Sequence, residues 1–395
     1  MFLIPKTMRA AVYRGPNTVQ LEMVPVPCIG PGELLVRVAV CGVCPTDIKK
    51  IQYGTVPAPR IFGHETAGTI VHAEAQVGGF KVGERVALHH HVPCRECHAC
   101  RHRAFAQCAQ YKRTGITAGC EPAGGGYAEY VRVMPFVLPG VVKIPARNSF
   151  LEGAMLEPVN TVLKAVKRLA LLPGDTVLVA GQGPIGLMFT RLLALQGMQV
   201  VATDLLPTRL KLAREFGAAR VVKIRSPKAE VRRKSEIRNP RSGVATQSPA
   251  PRTPFHVSRL THPAAASQLS ALAAKLTGGR GFDAAVIAVP SDAVVREAQV
   301  LVRGGGQVLL FSHTRRGDQA PMDLATVCAD EKDLIGSYSA DFLLQTEVAR
   351  LVFSRKLDVR RLITHRFPLE QTAAAIELAA HPTADSLKVV VVQEP

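Results

Sequence analysis

Thr176-Val-Leu-Val-Ala-Gly181-Gln-Gly183-Pro184-Ile185-Gly186-Leu-Met188 joins a β-branched, apolar run to a glycine pattern and then to a run of helix-forming residues. Strand, G-x-G-x-x-G and helix in that order open a βαβ nucleotide-binding unit. The glycines permit a tight turn, close approach of backbone to a pyrophosphate, and close packing of helix on strand. The glycine pattern alone is a weak signal. Here a second strand-like run, Gln199-Val-Val-Ala-Thr203, follows and ends at Asp204, eighteen residues past Gly186. A carboxylate at that place accepts hydrogen bonds from both ribose hydroxyls and repels a 2′-phosphate, so NAD is favoured over NADP. The alternative makes Asp204 a simple loop or cap residue, and Arg209 and Lys211 nearby blunt the cofactor preference. Gly181, Gly183, Pro184, Ile185, Gly186, Asp204 and Arg209 form the candidate cofactor-binding set.

Outward from this unit the alternation continues. Residues 220–224 read as a short strand, 264–276 as a helix, 284–289 as a buried strand, 292–302 as a helix and 307–311 as a further strand. That succession points to an α/β, doubly wound parallel sheet. Between the third strand and its helix lies a basic, Pro-rich insert at about 226–262, expected to be a solvated, disordered loop. Ile224-Arg-Ser-Pro-Lys228 and Ile237-Arg-Asn-Pro-Arg241 are faintly alike, which hints at a short duplicated element.

Upstream, Cys94, Cys97, Cys100 and Cys108 stand as C-x2-C-x2-C-x7-C. This spacing lets four thiolates close a tetrahedron around one zinc, and a closed tetrahedron leaves no position for a substrate. Free or disulfide-bonded thiols are the plainer alternative. An open metal site is then sought elsewhere. Cys44 in Val43-Cys44-Pro45-Thr46-Asp47, His64 in Gly63-His64-Glu65 and Glu157 in Leu156-Glu157-Pro158 supply one soft, one borderline and one hard donor, all acceptable to zinc. Each residue alone has a bland reading: a small buried thiol, a hydrogen-bonded histidine, a helix-start carboxylate. Together with the cysteine knot they describe a catalytic zinc with an open fourth position. Thr46 is a candidate proton relay, with a helix N-cap as its plain role. Asp47 is expected to fix the His64 ring rather than bind metal. His89, His90 and His91 read as strand-end or rim residues beside the completed knot.

At 395 residues two domains are expected. No apolar run is long enough for a membrane helix, and the first residues lack the apolar stretch of a signal peptide. With nine cysteines better explained by metal binding than by a disulfide framework, the cytoplasm is the expected compartment. The formal charge is +18, but residues 223–259 carry ten Lys or Arg against two Glu, so much of the excess sits in the insert. With no Trp and 5% aromatic residues, stacking platforms for bases are scarce, and nucleic acid is not expected as the main partner.

These pieces, with Cys41-Gly-Val-Cys44, Gly125-Gly-Tyr-Ala-Glu-Tyr130 and Thr277-Gly-Gly-Arg-Gly281, resemble the zinc-dependent medium-chain alcohol dehydrogenases. The branch they resemble is that of the sorbitol and threonine dehydrogenase-like enzymes. The resemblance runs from about residue 9 to the end, apart from the insert. It implies a GroES-like β-rich catalytic domain over 1–158, with a structural zinc lobe at about 89–112. A Rossmann domain over 159–338 and a C-terminal segment, 339–395, that returns to the catalytic domain complete the expected layout. It implies two zinc ions per chain, with Cys44, His64 and Glu157 near the catalytic one and Glu65 as an alternative or transient ligand. It further implies a homodimer or homotetramer and oxidation of a secondary alcohol, such as a polyol or sugar derivative. L-threonine 3-dehydrogenase is the alternative within the class. A non-catalytic zinc-stabilised protein, binding nucleic acid or an acidic partner through the insert, is the alternative outside it.

Overall fold

The computed structural model describes residues 3–73, 77–89, 92–113, 125–224, 263–312, 317, 319 and 322–393. The chain divides into two compact units. One takes Met1–Arg168, Gly183–Leu192 and Ser337–Pro395; the other takes Leu169–Gln182 and Leu193–Gly336. In chain order the strands are β1 (Thr7–Gly15), β2 (Thr18–Pro25), β3 (Leu34–Gly42), β4 (Arg60–Ile61), β5 (Glu65–Ala73), β6 (Arg85–His89), β7 (Tyr130–Val133) and β8 (Val142–Lys143). There follow β9 (Thr176–Ala180), β10 (Gln199–Asp204), β11 (Arg220–Lys223), β12 (Phe282–Ile287), β13 (Val302–Leu310) and β14 (Asp333–Gly336), then β15 (Ile363–Pro368) and β16 (Lys388–Val392).

The second unit is built on one sheet in the order β11-β10-β9-β12-β13-β14, every neighbouring pair parallel. Counted from β9, this is the order 3-2-1-4-5-6 of a doubly wound dinucleotide fold. All residues of β9 and β12 are buried, as strands covered on both faces must be. Such strands lack the alternation that marks strand ends. The strand expected at 284–289 accordingly runs two residues earlier, and the one expected at 307–311 begins already at Val302. The expected helix at 264–276 is present as Pro263–Thr277. The basic insert and its faint repeat lie outside the described residues.

The first unit holds an antiparallel ribbon, β2-β1-β4, and a mixed sheet, β15-β16-β3-β5-β6-β8, with β7 paired to β3. Two apolar clusters fill it, one around Tyr13, Phe62 and Tyr127, the other around Leu34, Ile70 and Val131. The strand register sets up the chemistry. Gly42 ends β3 opposite both Glu65 of β5 and Val390 of β16, and Glu65 faces His89 of β6. A side chain at position 42 would sit 1.9 Å from Glu65 Oε2, so only glycine leaves room for that carboxylate. Gly63, one residue before His64, has φ +98° and would drive a Cβ to 2.7 Å from Cys41 Sγ. The helix Leu156–Val166, buried over nearly all its length, carries Glu157 in its first turn. No helix among the described residues is long and apolar enough to cross a membrane.

Candidate active site and metal centres

Cys44 is the N-cap of the helix Pro45–Tyr53, with Pro45 at the first helical position, where a missing N–H costs nothing. The thiol therefore stands at a helix N-terminus. Thr46 falls inside the first turn and is not the cap, which corrects its plain role. Asp47 is fully buried, and its Oδ2 lies 3.0 Å from His64 Nδ1. Asp47 thus holds the His64 ring, the role expected of it from the sequence. Burial alone would push the His64 imidazole down. Asp47 and Cys44 outweigh it and hold the ring well above the usual histidine range. A sulfur of Cys44, a nitrogen of His64 and an oxygen of Glu65 all lie within 4.8 Å of one another. Soft, borderline and hard donors so close, two of them in a buried strand-end and its preceding loop, fit a zinc ion with an open position. Glu157 is buried but stands outside this group of three. Its carboxyl is pushed up to about 7, first by burial and then by Glu65 and Asp47, against the opposing pull of His64 and Lys388.

The four cysteines of the lobe also converge. Cys97 Sγ lies 3.5 Å from Cys100 Sγ, Cys94 Sγ 3.8 Å from Cys100 Sγ, and Cys108 Sγ 3.6 Å from Cys94 Sγ. Zn–S bonds of about 2.3 Å in a tetrahedron require sulfur separations of about 3.8 Å, whereas a disulfide requires about 2.05 Å. The sulfurs therefore fit a zinc ion and exclude the disulfide reading, and all four are free thiols. Burial raises the Cys108 thiol, yet the N–H groups of Cys94, Tyr111 and Gln110 outweigh it and bring it down to about 6. His89 is buried at the end of β6 and belongs to neither donor group. His90 and His91 lie outside the described residues.

In the parallel-sheet unit Gly181 has φ +92°, and a Cβ there would meet Val289 Cγ1 at 2.4 Å. A Cβ on Gly183 would meet nothing within 4 Å, which leaves its backbone open to a ligand. Pro184, Ile185 and Gly186 begin the helix Pro184–Leu195. Asp204 ends β10, and its two carboxylate oxygens accept from Gln182 N at 2.7 Å and Leu206 N at 2.9 Å. Each oxygen keeps a further lone pair for a ribose hydroxyl. Arg209 is half-buried in the helix Pro207–Glu215.

A sequence model of the alcohol dehydrogenase GroES-like domain matches residues 30–146. The sorbitol dehydrogenase of Bacillus subtilis is 28% identical over 394 residues, 98% of either chain. The erythritol/L-threitol dehydrogenase of Mycolicibacterium smegmatis is 28% identical over 395 residues, 95% of either chain. An alcohol dehydrogenase structure from Thermotoga maritima has a TM-score of 0.81 at 23% identity, covering 98% of this chain and 100% of that one. Over nearly its whole length the chain is thus similar to sorbitol and other polyol dehydrogenases, and over residues 30–146 to the alcohol dehydrogenase GroES-like domain.

One residue around the open donor group had no signal in the sequence. Lys388, at the start of β16 and 5% exposed, donates from Nζ to Glu65 Oε1 at 2.6 Å and to Val43 O at 2.9 Å. It also contacts Glu65 Oε2. Burial would lower its pKa, but Glu65 and Cys44 outweigh burial and keep the ammonium charged. Continuing the β3–β16 register two places past Gly42 and Val390 brings Lys388 opposite Cys44, so the strand pairing delivers it. With Lys388 and Glu65 323 positions apart in the sequence, no local pattern could reveal the pair.

Proposed function

We propose that this chain is a zinc-dependent, NAD(P)-linked oxidoreductase that converts a secondary alcohol, such as a polyol or sugar derivative, to a ketone by hydride transfer to nicotinamide. The observation that carries this reading is the convergence of half-buried Cys44 with buried His64 and Glu65 in one group, apart from the group of four cysteine sulfurs. Zinc held by Cys44, His64 and Glu65 would supply Lewis acidity, bringing deprotonation of a bound hydroxyl near neutral pH. Glu157, buried and close enough to feel the same charges, is the alternative third ligand. Asp47 orients His64, and Lys388 keeps Glu65 in place. The Thr46 hydroxyl, two residues past Cys44, passes the substrate proton outward. A second zinc in the cysteine lobe has no position for substrate and is structural.

Gly181, Gly183, Pro184, Ile185 and Gly186 cradle the pyrophosphate of the cofactor, with Arg209 at the ribose end near Asp204. Asp204 receives the ribose hydroxyls and favours NAD over NADP. The domain layout follows the same reading, with a catalytic domain from residues 1–158 and 339–395 and a cofactor domain from 159–338. Polyol names among the sequence relatives support this substrate class. L-Threonine remains the alternative substrate, and none of the comparisons supports a non-catalytic role. We place the protein in the cytoplasm as a homodimer or homotetramer. A panel of polyols, simple alcohols and L-threonine with NAD and NADP, read by absorbance of the reduced cofactor, tests the reading. Turnover with polyols and NAD is expected; turnover confined to L-threonine would select the alternative, and none with any alcohol would overturn the reading.

A further inference from the structure

Residues 339–345 of the C-terminal segment are gripped from two sides, by groups that all lie in one compact unit. On one side is the cysteine lobe. Phe342 packs against its apolar base of Cys100, Phe105, Cys108 and Tyr111, and the Phe105 and Phe342 rings meet edge to face with centroids 5.5 Å apart. The Tyr111 hydroxyl is hydrogen-bonded to Ser339 Oγ. Ser339 has φ +61°, a left-handed conformation that a serine holds only when its surroundings over-determine it. On the other side is Asn160, whose Oδ1 accepts from Asp341 N at 2.9 Å and whose Nδ2 donates to Gln345 Oε1 at 2.9 Å. Asp341 Oδ1 accepts from Leu343 N at 2.9 Å and caps the single turn Phe342–Leu344, so the gripped segment is itself tightly wound.

Asn160 stands three residues past Glu157 on the helix Leu156–Val166, close to one full turn. It is 0% exposed and Gln345 3%, so water cannot replace either partner if the bond between them is lost. That helix begins at Met155 with no side-chain cap. Its first turn, which carries Glu157, therefore takes its position from packing and from the bonds of Asn160. The same helix packs against β5, which opens with Glu65, and against β6, whose His89 pairs with Glu65. Direct contacts thus run without a break from the lobe, through residues 339–345 and Asn160, to the strand that bears Glu65.

We infer that Asn160 is a positioning residue that ties the cysteine lobe to the open donor group, so that a filled lobe slows the loss of metal from Cys44, His64 and Glu65. This rests on the two-zinc, alcohol-oxidising reading above. A metal in the lobe fixes the four sulfurs and with them the base that seats Phe342 and Tyr111. Residues 339–345 then hold Asp341 N and Gln345 Oε1 where the Asn160 amide meets both. With the lobe empty the seat slackens, the two buried amide bonds weaken, and the helix bearing Glu157 loses its brace against β5. The knot is then a remote support of the open site as well as a local staple.

Cobalt(II) tells the two sites apart, because thiolate-to-cobalt charge transfer grows with the number of thiolates, four in the lobe against one in the open group. With the enzyme loaded with cobalt at both sites and challenged with EDTA, the open-group bands should fade roughly tenfold faster in Asn160→Ala than in the wild type. The lobe bands should fade at the wild-type rate. Tyr111→Phe leaves all four thiolates and the ring in place but frees Ser339, and should speed the open-group loss roughly threefold although it lies on the lobe. The double variant should fade no faster than Asn160→Ala alone, since both act along one line of contacts. Gln345→Met, which removes one of the two bonds, replaces Asn160→Ala if that variant does not fold, and Ser339→Gly likewise replaces Tyr111→Phe. Equal acceleration at both sites would mark plain loss of stability and overturn the inference, as would an open group that fades at the wild-type rate in Tyr111→Phe. A wild type that takes up one cobalt overturns the inference together with the two-zinc reading. Two cobalt ions coupled in this way, with no alcohol oxidised, leave the coupling standing and remove the alcohol reading.

Discussion

Lys388 carries more of the open donor group than its place in a C-terminal strand suggests, because its one ammonium neutralises Glu65 and holds the carbonyl just before Cys44. Removing one partner of a buried ion pair leaves an uncompensated charge, a loss of about 3–5 kcal/mol. Lys388→Met should therefore lower stability by that order in denaturant unfolding. Adding Glu65→Gln should recover part of it, because the orphaned charge is then gone; equal losses in the single and double variants would remove Glu65 as the partner. Asp204 makes a second residue-scale test. Asp204→Ser withdraws the charge that repels a 2′-phosphate, so KM for NADP should fall and KM for NAD should rise, each by roughly tenfold. Unchanged cofactor preference would return Asp204 to its plain role as a loop brace between Gln182 and Leu206, which its two amide hydrogen bonds already show it can fill.

The helix Phe150–Ala154 leads the chain into the Glu157 helix, and it begins with a complete capping box. Ser149 Oγ accepts from Glu152 N, and Glu152 Oε2 accepts from Ser149 N. The other oxygen of Glu152 accepts from Asn148 Nδ2 at 2.9 Å and Arg355 Nε at 3.1 Å. Burial would raise this carboxyl, but those three donors and the Ser149 hydroxyl, which also donates to Oε2, outweigh it and hold it below the ordinary 4.5. A lowered carboxylate contributes stability above its unfolded pKa and loses it as pH falls through the folded value. Glu152→Gln should thus cost roughly 1–2 kcal/mol at neutral pH. In acid below that lowered folded value the wild type and the variant should unfold alike. A gap that persisted there would assign the effect to packing. Elements of this kind were legible where their signals are local: the glycine turn after β9, the Asp at the end of β10, the cysteine spacing. Strand ends in the parallel sheet were not, since burial on both faces erases alternation. Contacts such as Tyr111 with Ser339, 228 residues apart, arise only when the chain returns to its first unit.

Across the whole molecule, two donor groups differ in completeness, one of four sulfurs and one of three mixed donors. Cys44 and the His64-Glu65 pair were readable as donors, but which carboxylate joins them was not. The choice depends on the pairing of β3 with β5, which puts Glu65 beside Gly42, and on a lysine from the last strand. The cysteine lobe closes on its own spacing, so Cys97→Ser should remove one zinc and lower the melting temperature while a second zinc stays bound. Retention of both metals would contradict a four-sulfur site. The central claim is that a second, open zinc sits on Cys44, His64 and Glu65. Metal analysis of the wild type beside Cys44→Ser tests it most directly. Two zinc ions per chain falling to one, with the variant still folded, is the result expected here; one zinc in both would contradict it.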